Sequence, residues 1–540
     1  MLFNSLGFLF GFLPLVLGLF FVFGRHSRSL ALGWLVLASL CFYAWWRPLN
    51  VLIIAPSIAI NFALARWLER PAAGPAAERR RGAMLAAGVA FNVLFLGYFK
   101  YTQFIAGTVN DIAGTRFVVE QIVLPLGISF ITFQKIAFLV DVWARRVAGF
   151  TLREYALFVL FFPQLIAGPI VHYREMMPQF RLASCRPNGE DLAVGLTLLV
   201  FGLFKKVVLA DGIAAHVSPV YAAAAAGQGV SLLPAWTAAV GFTLQIYFDF
   251  SGYSDMALGI ARCFGIRLPP NFDSPLKATS IIDFWLRWHM TLTRFLTAYL
   301  YNPLVLALTR RRLARGQAPF GGRNRSPAAF IQLLAMPTLL TMLVSGIWHG
   351  VGLTFVVWGL LHGLYLVANH AWRTYVARPG AAGAVAARWL RPLAGLLTFL
   401  AVAVAMVIFR APSLASAWTV LKGLAGGGGL ELPASLLGRL LQALPALQRA
   451  GIAGSADTAL AWLAPLGWML ALGLVARWLP NTLVLMAEFE PALGIKAGPG
   501  PRPTRLAWRP VIAWALAVAV LAALAVVRLG DQSEFLYWQF

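Results

Sequence analysis

The sequence predicts an all-α polytopic membrane protein with about 11–13 transmembrane helices and some short re-entrant or interfacial helices. Three observations carry that expectation. The 540 residues are 60% hydrophobic and only 12% charged, about half the charged fraction of a soluble domain. Apolar runs of about 20 residues recur along the chain, long enough at 1.5 Å per residue to cross a bilayer core of about 30 Å. Arginines collect in the short polar breaks between runs, the pattern of cytoplasmic loops.

Taken in order, Leu6–Phe23 has no small-residue cleavage site behind it and leads straight into Leu30–Trp46. It therefore reads as a retained span rather than a removed signal. Val51–Leu68 follows the short Arg47–Pro48 break, which implies a tight hairpin. Leu85–Ile105 is interrupted by Lys100, and Ile122–Val142 is closed by Arg145 and Arg146. With Arg25, Arg28 and the stretch Arg66–Arg81 inside, the first three spans place the N-terminus outside. Tyr155–Ile170 contains Pro163, Gly168 and Pro169 and is expected to be short, broken or re-entrant. Ala193–Leu209, with Lys205 and Lys206 near its end, and Leu233–Phe250 are fuller runs. Ile281–Tyr301 carries three charges and His289, so it is expected as an amphipathic helix in a cavity or at the interface. Runs resume at Ile331–Ile347, Leu353–Trp372, Pro392–Ile408, Leu460–Leu479 and Ala507–Val527.

The formal net charge of +24 raises the question of nucleic acid. No basic soluble segment is present to bind one, so no nucleic-acid partner is expected. The three cysteines lie far apart with no CxxC, which offers neither a disulfide framework nor a metal site. GxSxG, HExxH, GxxxxGK[ST] and GxGxxG at a strand-to-helix turn are all missing, so serine-hydrolase, zinc and nucleotide chemistry lack support.

Two stretches remain. Thr341–Gly363 places His349 and His362 in an otherwise apolar segment, and ionisable groups at membrane depth mark functional sites by default. Ser345, Gly346, Gly350 and Gly352 bracket His349, so the helix is expected to break or bend beside it. In Ile281–Arg294, Asp283 and Arg287 are four residues apart and can pair on a helix. Trp285 and His289 share that spacing, so the indole is expected to flank the imidazole. Asp283 and His289 are about 240° apart around a helix and cannot form a local acid–base pair. His289 therefore needs a distant partner, for which His349 is one candidate. Packed structural histidines satisfy the same pattern. So do general-base activation of a hydroxyl and a proton relay in a transporter.

Several motifs occur in order. Asp283-Phe284-Trp285, Arg287-Trp288-His289 and Trp348-His349-Gly350 are joined by Cys41–Trp46, Gly97–Tyr101, Leu124–Phe130 and Phe162–Pro169. Tyr247–Met256 (YFDFSGYSDM) and Ser533–Phe540 (SEFLYWQF) complete the set. Through them the chain resembles the membrane-bound O-acyltransferase (MBOAT) family, within it the bacterial alginate O-acetylation branch. It departs from that pattern at Leu286, where the family usually has arginine, and at Thr297-Ala298, where an acidic residue is missing. A further departure is GGRNR (Gly321–Arg325), which follows an inserted basic segment, Val305–Phe320.

The resemblance implies one integral membrane domain over 1–540, with N-terminal helices in 1–120, a catalytic core in 121–375 and C-terminal helices in 376–540. It implies a central tunnel with His349 as the essential histidine and His289 on a neighbouring helix. Asp283, Arg287, Trp285, Trp348, Tyr247, Asp249, Ser251, Tyr253 and Asp255 are tunnel candidates, and Tyr247, Ser251 or Ser345 could stabilise an oxyanion. The implied donor is acetyl-CoA, a substrate rather than a bound cofactor, and no metal is implied. The acetyl group would pass across a bacterial inner membrane, among its lipids, to a periplasmic acetyltransferase partner and an exopolysaccharide such as alginate or cellulose. D-alanyl transfer to teichoic acid and a proton-coupled transporter or export channel are the alternatives.

Overall fold

A computed structural model describes residues 1–120, 122–321, 324–377, 381–433, 452–455, 459–494, 506–530 and 536. Among the described residues the fold is built from helices, with one short parallel strand pair, Leu430–Pro433 beside Ile452–Ser455. SEFLYWQF lies outside the described residues apart from Leu536, and Gly322 and Arg323 of GGRNR lie outside them too.

Among the described residues, seven helices are long and apolar enough to cross a membrane. They are Gly7–His26, Leu49–Glu69, Pro75–Ala113, Gly189–Ala225, Pro327–His349, Leu353–Val376 and Trp389–Arg410. Arg28–Ala44, Leu463–Trp478 and Ile512–Val527 are apolar but shorter. The long helices number fewer than the 11–13 expected spans because hydrophobic runs and helices do not coincide everywhere. The run from Ile122 becomes helical only at Ile128, after Gly127 turns the chain with φ +66°. Phe242–Cys263 has the length but carries Asp249, Asp255 and Arg262. Tyr155–Ile170 is broken as expected, with Leu152–Leu160 separated from Phe162–Leu165 at Phe161.

Ile281–Tyr301 is the clearest correction. It is not one helix but Ile281–Trp285 and Met290–Leu296, running on into Thr297–Tyr301, with His289 between them in the left-handed region at φ +42°. That conformation is unfavourable for a side chain with a Cβ and concentrates at functional sites.

The helices form two compact units. The first comprises Met1–Phe204, Gly252–Asn271 and Thr482–Gln532. Several of its buried polar groups are paired across helices, as an apolar surround favours. Asn61 and Asn92 exchange amide hydrogen bonds at 2.6 and 3.2 Å, and the Lys135 ammonium donates to Ser57 Oγ at 2.6 Å. Buried Arg262 meets Asp191 at 2.7 Å. Helix Gly189–Phe204 crosses the second half of Phe242–Cys263 at touching distance. A Cβ on Gly259 would stand 2.4 Å from the Gly195 carbonyl oxygen, and one on Gly202 would stand 2.4 Å from that of Gly252. Outside the spans, Thr151 and Glu154 form a capping box, and Glu154 accepts from Arg181 Nε at 2.7 Å and from Tyr173 at 3.2 Å.

The second unit comprises Lys205–Ser251, Phe272–Asn481 and Ser533–Phe540. Lys206 sits between Asp211 at 2.8 Å and Asp249 at 2.7 Å. The Arg410 guanidinium lies over the rings of Tyr221 and Phe242 at 5.3 and 5.9 Å. Helices Met336–His349 and Leu353–Ala371 form an antiparallel pair at its heart.

Two outcomes follow from the first unit. Gly259→Val drives a side chain into a backbone carbonyl that cannot swing aside, so thermal unfolding in detergent should show a loss of about 1–3 kcal/mol or more. Burial raises the Glu154 pKa, but the bonds from Arg181, Thr151 and Tyr173 outweigh it and hold the carboxyl below its ordinary 4.5. A depressed folded pKa stabilises above the unfolded value and loses that contribution as pH falls through the folded one. The melting temperature should therefore drop below about pH 4.5 in the parent, with a smaller acid-range contribution in Glu154→Gln.

Candidate active site

The helix carrying His349 starts at Pro327, where the Ser326 hydroxyl accepts from the Ala329 N–H at 3.3 Å. Proline at the first helical position loses no needed donor. The helix ends at His349 because Gly350 is extended and Gly352, at φ +134°, turns the chain into Leu353–Ala371. Gly350 has no room for a side chain, since a Cβ would lie 2.2 Å from the Phe355 ring. The pair closes where Gly346 meets Gly359. A Cβ on Gly346 would fall 2.3 Å from the Phe355 carbonyl oxygen, and one on Gly359 would fall 2.5 Å from that of Met342. Small residues let membrane helices approach this closely. Ser345 and His349 are one turn apart on the first helix, Trp358 and His362 one turn apart on the second, so each pair shares a face.

The His349 ring is walled by aromatics. Trp348 lies 4.9 Å from it, Trp358 5.1 Å with planes at 86°, and Phe409 5.6 Å, centroid to centroid. His289 is fully buried, with Phe250 edge-on at 4.8 Å and Trp348 at 6.2 Å. The structure brings His289 and His349 together with centroids 6.2 Å apart. That separation exceeds what a direct bond between ring nitrogens spans.

Trp285 does not flank His289, because the helix that would have aligned them ends at Trp285. Its indole N–H instead donates to His362 Nδ1 at 3.3 Å. An indole nitrogen can only donate. His362 Nδ1 must therefore accept, and the proton of the neutral ring must sit on Nε2. His362 is fully buried, and its ring lies 4.9 Å from that of Trp358.

The remaining predicted residues divide. Asp283 pairs with Arg287 at 2.7 Å as the spacing foretold, and Arg287 also reaches the Asp273 carboxylate at 3.6 Å. Both Asp283 and Arg287 are about one-third exposed and form a structural clasp. Tyr247 is buried against Phe248 and Phe272. Asp249 is neutralised by Lys206 and accepts from the Leu536 backbone N–H at 3.3 Å. Ser251 is buried with no hydrogen-bond partner among the described residues. Tyr253 and Asp255 belong to the first unit, where Tyr253 stacks on Phe3 at 4.9 Å and Asp255 accepts from Thr482 at 2.9 Å. Sequence reasoning passed over Trp358 and Phe409 and met Phe250 only within the YFDFSGYSDM motif, and it marked His362 as a functional candidate without a specific role. The run Gly359-Leu360-Leu361-His362-Gly363 held the clue to His362, because glycines four apart mark a helix face pressed on a neighbour.

Comparison with known proteins identifies the family. Residues 144–320 match the model of the membrane-bound O-acyltransferase family. The chain is 39% identical over 465 residues to the peptidoglycan O-acetyltransferase of Helicobacter pylori, covering 80% of this chain and 81% of that protein. It is 36% identical over 439 residues to the probable alginate O-acetylase AlgI of Pseudomonas aeruginosa, covering 80% and 76%. Similarity to the teichoic acid D-alanyltransferase of Streptococcus thermophilus is 31% over 253 residues, covering 46% and 57%. The chain is a multi-pass membrane protein of the membrane-bound O-acyltransferase family, and its activity is O-acyl transfer.

Proposed function

We propose that the protein takes acetyl groups from cytoplasmic acetyl-CoA at a bacterial inner membrane and delivers them towards hydroxyls of an extracytoplasmic polysaccharide. The polysaccharide is of the peptidoglycan, alginate or cellulose kind, and a periplasmic acetyltransferase is the partner. The observation that carries this reading is His349, a buried imidazole at a helix end, facing His289 and walled by Trp348, Trp358 and Phe409. The acetyl group rests on the two acetylating relatives, each matched over about four-fifths of this chain. The D-alanylating relative matches less than half of it, which disfavours that alternative.

In this mechanism His349 takes the proton of an acceptor hydroxyl as its oxygen attacks the thioester carbonyl carbon. The π electrons of the carbonyl move onto its oxygen. When they return, the C–S bond breaks, and the departing thiolate takes the proton from the His349 imidazolium to leave as free CoA thiol. The ester on the acceptor is the other product. The aromatic walls exclude water that would otherwise hydrolyse the donor. A transporter would pass protons along its histidines, and the contact of His362 Nδ1 with the Trp285 indole disfavours His362 as one of them.

Purified protein in nanodiscs should release CoA from radiolabelled acetyl-CoA, and His349→Ala should lower that rate by about 10²–10⁴-fold. Persistence of the rate in the mutant would remove His349 from the mechanism. No release from folded parent, even with the periplasmic partner added, would sink the enzymatic donor assignment. Mass spectrometry of the product should find acetyl (+42 Da, on the order of one C2H2O unit) rather than D-alanyl esters.

A further inference from the structure

Three side-chain donors on the helix pair that carries His349 have no hydrogen-bond partner among the described residues: Ser345 Oγ, Trp358 Nε1 and His362 Nε2. Ser345 and His362 are fully buried and Trp358 is 1% exposed. Each unsatisfied donor in a dry interior is destabilising, and these three share one helix pair. They sit on facing helices at the close approach of Gly346 and Gly359. The Trp358 ring touches both His349, at 5.1 Å, and His362, at 4.9 Å. Their chemistry selects an occupant. The indole N–H has no acceptor lone pair, and the imidazole Nε2 has none either while Trp285 holds Nδ1. A group that offers only acceptors fits this set, and it fits better as its oxygen gains negative charge.

We propose that the N–H groups of Trp358 and His362, with the Ser345 hydroxyl, bind the acyl carbonyl oxygen as it becomes an oxyanion, and that Trp285 positions His362 by holding its tautomer. The inference rests on the reading of His349 as the base that starts acyl transfer. It divides the histidines by role: His349 moves the proton, and His362 donates a hydrogen bond and keeps its own. Donors fixed in a water-excluded site act where charge develops, without reorganising during the reaction.

The test uses the full chain in nanodiscs with acetyl-CoA as donor. His362→Phe keeps a flat ring and removes the donor, so kcat should fall about 10²–10³-fold with KM for acetyl-CoA unchanged. His362→Gln returns an amide N–H near the Nε2 position and should recover about tenfold of that loss. Trp285→Phe removes one N–H only. In ¹⁵N-histidine spectra, the His362 signals should change from the single Nε2–H tautomer of the parent to a mixture of tautomers, with a fall in kcat. Parental kcat in His362→Phe would overturn the proposal. So would a folded His362→Gln no better than His362→Phe, or an Nδ1–H tautomer in the parent. Should His362→Phe fail to fold, Trp285→Phe decides, with unchanged tautomer and unchanged kcat overturning it. A parental rate in His349→Ala would instead defeat the base assignment, whereas an inactive His349→Ala beside an active His362→Phe defeats only the donor assignment.

Discussion

Gly346 and Gly359 bring two helix backbones into contact, with the Gly359 Cβ position only 2.5 Å from the Met342 carbonyl oxygen. Apolar helices gain little hydrophobic free energy by meeting inside a bilayer, so association depends on dispersion and on how closely the backbones can approach. Everything described around His349 hangs on that closeness. It seats the Trp358 ring against both His349 and His362, and it sets the Ser345–His349 face opposite the Trp358–His362 face. At an ordinary helix spacing of about 8–10 Å those rings would move apart and the imidazole would lose its walls.

A second constraint is the treatment of charge and polarity away from water. In each unit, buried ions are answered by named partners: Arg262 by Asp191 in the first, Lys206 by Asp211 and Asp249 in the second. Such pairs seldom add much stability over apolar residues, but losing one partner strands a charge and is strongly destabilising. The neighbourhood of His349 breaks this rule. His289 is held at φ +42°, and the donors of Ser345, Trp358 and His362 go without partners among the described residues. Local strain of about 1–3 kcal/mol per residue persists only where surrounding structure enforces it. Around His289 that enforcement comes from Phe250, Trp348 and His349. The three donors of Ser345, Trp358 and His362 share the helix pair that carries His349.

Much of this was legible in the residues. Apolar length located the helices, from Leu49–Glu69 and Pro75–Ala113 to Leu353–Ala371, because a run of about 20 residues has one economical way to shield its backbone in lipid. Prolines and glycines announced the break in Tyr155–Ile170 and the end of the helix at His349, where Gly350 and Gly352 follow. The four-residue spacing of Asp283 and Arg287 foretold their ion pair, which survives although the helix ends at Trp285. The same reasoning failed for Trp285 and His289. Their spacing assumes a continuous helix, and the left-handed turn at His289 sends the two side chains to different partners.

Hydrophobic length, turn residues and ordered motifs, all local properties, determined the helical membrane class, the family and the two histidines of Trp348-His349-Gly350 and Arg287-Trp288-His289. Only the tertiary structure decided what each histidine meets. Residues 289, 349 and 362 are separated by many positions and assembled by helix packing, so no spacing rule could state the 6.2 Å between His289 and His349. Nor could one state that Trp285 holds Nδ1 of His362. A proton's place on an imidazole is set by the one atom hydrogen-bonded to it, and that atom is chosen by the fold.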